Sequence, residues 1–191
     1  MWAFVARGRR SEMKRIEIEI KLNESRTWLL ATYANLTDEQ LRRPLTKSEH
    51  DPENQWDALD HFAHLALIEG NFEQMIRRHL SGHKNPVGLL LDEQGQVRPR
   101  GQIMARVHAR TDEFQREHHH DSLSDVVALT ADARGATLHL LSELSDTQLA
   151  DRLEGAPWAD GTVGGVLGVN ADHATMHWHW MTEAGLLDGD E

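Results

Sequence analysis

The chain has 191 residues, no cysteine, and 20 Lys plus Arg against 31 Asp plus Glu, a net charge of −11 with histidine neutral. The missing cysteines exclude disulfides, thiolate metal sites and cysteine nucleophiles. The acidic balance argues against nucleic acid or an anionic membrane surface as the main partner, and the 13 histidines are left as the place to look for function.

Residues 1–15 hold five basic residues and one acid and read as an appended segment. A flexible basic extension is expected over residues 1–13 and a single helical domain over 14–187. The short apolar stretch at the start precedes its basic residues, the reverse of a secretory signal. No apolar run approaches the ~20 residues of a membrane-spanning helix. A cytoplasmic protein is the simplest expectation.

The first periodic stretch runs from about Glu12 to Leu36. Ile16, Ile18, Ile20 and Leu22 alternate with charged residues as in a strand, but no Gly or Pro interrupts the stretch. Helical spacing along Ile16, Ile20, Asn23, Thr27, Leu30 and Ala34 favours one long helix. Residues 37–54 are polar, contain Pro44 and Pro52, and read as a loop. A second helix is expected from about Asn54 to Leu80, carrying Trp56 and stopped at Ser81-Gly82. Lys84 to Arg100 is rich in Gly and Pro and reads as a long crossover. A third helical region follows in two pieces, Gln102 to about His118 and Ser122 to about Leu144. The last helix spans about Thr162 to Ala184 and closes at Gly185.

Leu36-Thr-Asp-Glu-Gln-Leu41 after the first helix echoes Leu144-Ser-Asp-Thr-Gln-Leu149 after the third, and in both halves a Trp and a histidine-bearing helix follow. Four long helices with a long crossover between the second and third predict an all-α four-helix bundle.

His173 and His177 stand four apart, which on a helix places both imidazoles on one face within reach of one cation. Val166, Val169, His173, His177, Trp180 and Ala184 form one largely apolar stripe, so the pair is expected to face the interior. From this helix alone, two hydrogen-bonded core histidines remain the simpler reading. His64, on the apolar line with Ile68, Asn71 and Met75, is the best third ligand. His61 lies three residues before it, either supporting the site or facing solvent. Asn170, Asp172 and Trp180 are further candidates for its surroundings. His118, His119 and His120 diverge on a helix and are not expected to share an ion. His50, His108 and His139 are isolated in the sequence and are expected to be solvated or helix-surface groups.

Trp56 followed by His64, the segment Met104-Ala-Arg-Val-His108, the Leu-Ser-Asp-Thr-Gln-Leu turn and the His173/His177 pair together resemble the DinB/YfiT-like family of metal-binding four-helix bundles, over roughly residues 14–185. The resemblance implies a divalent ion, zinc or nickel, on His64, His173 and His177, with a water or substrate completing its sphere. It also implies a homodimer and, in members with assigned activity, thiol-dependent transfer with a low-molecular-weight thiol, or hydrolysis.

Two readings follow. One is a metal-dependent enzyme, a thiol S-transferase or hydrolase acting on a small electrophilic or toxic molecule. The other is a non-catalytic metal or small-molecule binding protein of a stress response. Neither nucleic acid nor membrane is expected as a partner. Because ligand imidazoles must be neutral, metal affinity is expected to fall below pH ~6.5.

Overall fold

Helix α1 (Arg15–Tyr33) buries Ile18, Leu22, Leu29 and Tyr33. The computed structural model describes residues 14–48, 51–92 and 94–188, so the extension expected over 1–13, and His50, lie outside the described residues. The strand-like alternation at the start of α1 is resolved as helix, but the buried stripe is not the expected one. Ile16 and Ile20 are 56% and 48% exposed, while Ile18 and Leu22 are fully buried. Two isoleucine-bearing stripes compete on this helix. The one that continues into Leu29 and Tyr33 covers more apolar area, and the Tyr33 hydroxyl also donates to the carbonyl of Ala58 at 3.0 Å.

The segment expected as a loop holds a one-turn helix, α2 (Asp38–Arg42), and a two-residue strand, β1 (Thr46–Lys47), paired antiparallel with β2 (Gln55–Trp56). Trp56 therefore precedes the second long helix instead of lying on it. That helix, α3 (Ala58–Leu80), is capped by Asp57, whose carboxylate accepts from Asp60 N while the Asp60 carboxylate accepts from Asp57 N. The crossover follows, pinned by a bridge between Leu91 and Val97. Then come α4 (Arg100–His118), α5 (Leu123–Glu143), the one-turn α6 (Asp146–Ala150) and α7 (Val163–Glu183).

Helix α3 lies against both α5 and α7, α1 lies against the same two helices, and α4 packs on α3. Four of the long helices, α1, α3, α5 and α7, form the expected all-α bundle. Its core divides into two apolar clusters. One gathers Ile18, Leu22, Phe72, Ile76, Leu140 and Val166; the other gathers Leu29, Tyr33, Phe62, Ala63, Val126 and Met181. Among the described residues no helix is long and apolar enough to cross a membrane.

Buried charge also lies inside the bundle. Arg134 of α5 donates through Nε and Nη2 to the two carboxylate oxygens of Glu69 on α3, at 2.6 and 3.2 Å, and through Nη1 to the carbonyl of Leu22. Both side chains are at most 10% exposed. A buried pair of this kind contributes little net stability over an apolar pair, but removing one partner strands the other. Glu69→Gln or Arg134→Met alone is expected to cost about 3–5 kcal/mol, and the Glu69→Leu/Arg134→Met double variant far less. Urea unfolding measures this; equal losses in all three variants would contradict it.

Candidate metal centre

Four histidines meet between α3 and α7, each at most 8% exposed: His61 and His64 from α3, His173 and His177 from α7. Ligand atoms of His64, His173 and His177 all lie within 4.8 Å of one another, a group able to hold a metal ion. The Nε2 atoms of His173 and His177 are 3.0 Å apart. The ring of His64 sits 4.9 Å from that of His177 and 5.4 Å from that of His173. Trp56 packs edge-on against His61 and His64, and Trp180 against His177.

Local sequence explains the placement. The Asp57 cap fixes where α3 begins, and positions 61 and 64 then fall on one face, three residues apart. On α7 the cap is Thr162, whose hydroxyl accepts from Gly165 N at 3.0 Å. A Cβ on Gly164 would stand 3.2 Å from Ile18 and from the carbonyl of Leu149, so this glycine lets α7 approach α1 and α6 closely.

His61 is the residue whose role the sequence left open. Its Nδ1 lies 2.8 Å from Nδ1 of His177, and its Nε2 lies 2.8 Å from Oγ1 of Thr46 on β1. One tautomer assignment satisfies all these contacts together with a cation on Nε2 of His177. In it, His177 Nδ1–H donates to His61 Nδ1, and His61 Nε2–H donates to Thr46. The arrangement has the form of the outer hydrogen bonds that fix ligand histidines. Thr46 itself was not legible as part of the site, because strand pairing and not helical spacing brings it there.

Burial sets the charge state. It lowers His61 and His173 from the usual 6.5 to about 4, with the neighbouring His173 also acting on His61. His64 and His177 are pushed well below the usual value by burial first, then by the surrounding imidazoles. Nδ1 of His64 is buried with no hydrogen-bond partner. An orphaned imidazole nitrogen beside two neutral rings is the donor set a divalent ion needs, so the residues fit zinc or nickel.

Other candidates lie at varied distances from this centre. Asn170 is buried on α7, one turn before His173, with its Nδ2 unpartnered, and Trp56 Nε1 is likewise buried and unpartnered. Trp180 is 41% exposed and covers His177 from the solvent side. Asp172 turns outward: its side chain is 67% exposed and pairs with Lys21 at 2.7 Å. Among the described residues no carboxylate bonds any of the four central imidazoles. His139 and His179 are surface groups beside Glu143 and Glu183.

A family model described as the DinB superfamily matches residues 49–181. The crystal structure of an uncharacterised protein from Escherichia coli UTI89 has the same fold, with a TM-score of 0.55 over 93% of this chain and 96% of that one, at 16% identity. No curated protein matches the sequence. The family match covers both histidine-bearing helices and well over half of the sequence, and the chain belongs to the DinB superfamily.

Proposed function

We infer that the protein is a metal-dependent enzyme using His64, His173 and His177 as ligands of one zinc or nickel ion, with a thiol S-transferase or hydrolase activity on a small electrophilic or toxic molecule. The observation that carries this reading is the convergence of three buried, neutral imidazoles from two helices. A divalent ion held there supplies Lewis acidity and lowers the pKa of a water or external thiol beside it. His61 holds the tautomer and orientation of His177. On this reading the buried, unpartnered Trp56 Nε1 and Asn170 Nδ2 would bind a polar group of the substrate, and Trp180 shields the ring of His177. In a chain without cysteine, a low-molecular-weight thiol would serve as the nucleophile. We assign the protein to the cytoplasm as a homodimer; the exposed Ile16 and Ile20 on α1 support an apolar contact there.

The non-catalytic reading, a stress-response protein that binds metal or a small molecule, draws support from one observation. Asp172, the carboxylate nearest the ligands in sequence, faces solvent and not the centre. Turnover of a small electrophile with a supplied thiol, by the zinc- or nickel-loaded protein and not by the His64→Ala variant, would separate the two readings.

Metal analysis of the untagged protein should give one zinc or nickel per chain at this centre, and none in the His173→Ala/His177→Ala variant. His119→Ala should retain it, and circular dichroism should show the metal-free bundle still folded.

His61→Phe should weaken zinc binding by roughly 10–100-fold, as loss of an outer hydrogen bond to a ligand histidine does. A competition titration with a chelating dye reads the change. An unaltered affinity would make His61 a packing residue only.

The pH dependence follows from the lowered histidines. Their folded values lie below the unfolded 6.5, so on acidification the unfolded chain binds protons first. The metal-free protein should therefore keep full stability above about pH 6.5 and lose it as pH falls towards 4. In the folded protein the ligands stay neutral below 6.5, so zinc affinity should hold to lower pH than free histidine implies. Thermal melts between pH 7.5 and 4.5 test the first statement, and zinc titrations over the same range test the second.

A further inference from the structure

Beside the start of α3, a cleft of about 680 Å³ opens between β2, the start of α3 and the end of α4. Asp57, Gln115 and His119 line it. Ligand atoms of Asp57, Asp60 and His119 lie within 4.8 Å of one another, and both carboxylates are buried. His119 Nδ1 stands 3.1 and 3.0 Å from the two Asp60 oxygens.

The hydrogen bonds of this corner do not balance. Asp57 and Asp60 each use one oxygen to cap α3, and Arg42 reaches Asp57 at 3.2 Å. Gln115, only 3% exposed, points its Nε2 at His119 Nδ1 from 3.1 Å. If His119 Nδ1 carries a proton, it and the Gln115 amide both donate to Asp60. If it does not, a lone pair faces a carboxylate. In either state the Oε1 of Gln115 stays buried without a partner, as does Oδ2 of Asp112, the other buried residue of α4. Burial together with Asp57 also raises the pKa of Asp60, despite the bonds from Gln115 and His119 that oppose the rise. The corner holds surplus acceptors, and two of its orphaned groups are more than nine-tenths buried.

We propose that Asp57, Asp60 and His119 form a second divalent-cation site, distinct from the three-histidine centre, with a half-turn of the Gln115 amide bringing Oε1 in as a further ligand. Two carboxylates, an amide oxygen and one imidazole suit a manganese-type ion better than the softer all-imidazole set does. Neighbouring ligands of an octahedral ion bound at about 2.1 Å stand about 3.0 Å apart, the spacing that Asp60 and His119 already have. His119 is 41% exposed to the cleft, which supplies the entry path, while Asp60 at 0% forms the floor. The cation would tie the start of α3, which carries His61 and His64, to the end of α4.

Manganese is the probe. In the full untagged chain carrying His173→Ala/His177→Ala, which removes the first centre, titration with Mn²⁺ followed by electron paramagnetic resonance is expected to show one bound ion per chain. Adding Asp60→Asn or His119→Ala should weaken that binding at least tenfold. Asp60→Asn keeps an oxygen for the α3 cap, and His119→Ala leaves the cap untouched, so circular dichroism should find a folded chain in at least one of them. No Mn²⁺ bound in the starting variant, or binding unchanged by both additions, overturns the site. Zinc or nickel retained by His173→Ala/His177→Ala even after Asp60→Asn and His119→Ala are added would instead overturn the three-histidine reading, so the two failures are distinct.

Discussion

Four imidazoles share one buried layer between α3 and α7, and none of them can be charged there without loss. This requirement governs the rest of the fold. Neutral rings within hydrogen-bond distance need alternating donors and acceptors, so the two helices must keep a fixed rotation and height against each other. The chain His173–His177–His61–Thr46 runs at 3.0, 2.8 and 2.8 Å, leaving little tolerance for sliding.

The two halves of the chain supply that register in the same way. Thr37 and Gln40 close a capping box on α2, and Ser145 and Gln148 close one on α6. Each one-turn helix buries its leucine, Leu41 or Leu149, against the bundle. A short antiparallel pairing follows in both: Thr46 with Trp56 in the first half, Arg152 with Thr162 in the second. A capped histidine-bearing helix then begins within two residues. Each connection is thus a ruler that ends at the first residue of a site helix. In the first half the ruler also delivers Thr46 and Trp56 to the histidines directly.

Much of this was legible. Gly and Pro positions located the long helices, the repeated Leu-(Thr/Ser)-Asp-x-Gln-Leu segment marked the two rulers, and i to i+4 spacing with an apolar stripe picked out His173 and His177. His64 followed from the apolar face of its own helix. What stayed hidden depends on tertiary choice. The stripe on α1 was misread because Ile16/Ile20 and Ile18/Leu22 are alike locally and only Tyr33, by packing on α3, decides between them. The stripe on α7 runs out at Trp180 and Ala184, which lie towards solvent. The partners Glu69–Arg134 and Asp60–His119 are 65 and 59 residues apart, and no periodicity links them. His61 could be placed three residues from His64 but not assigned a partner, since that partner is on another helix.

The surroundings of the centre also weigh between the chemistries open to it. Its walls are imidazole and indole, and the acids of the bundle are committed elsewhere: Glu69 to Arg134, Asp172 to Lys21, Asp57 and Asp60 to the α3 cap. Hydrolysis asks for a base to take a proton from water and an acid to protonate the leaving group. Four rings that resist protonation are poorly suited to both tasks. An external thiol with a pKa lowered in the site arrives as its own nucleophile, and its proton can leave to solvent before the electrophile binds. The same burial that keeps the histidines neutral, and so fit to hold a cation, therefore favours thiol transfer over hydrolysis on the proposed reading.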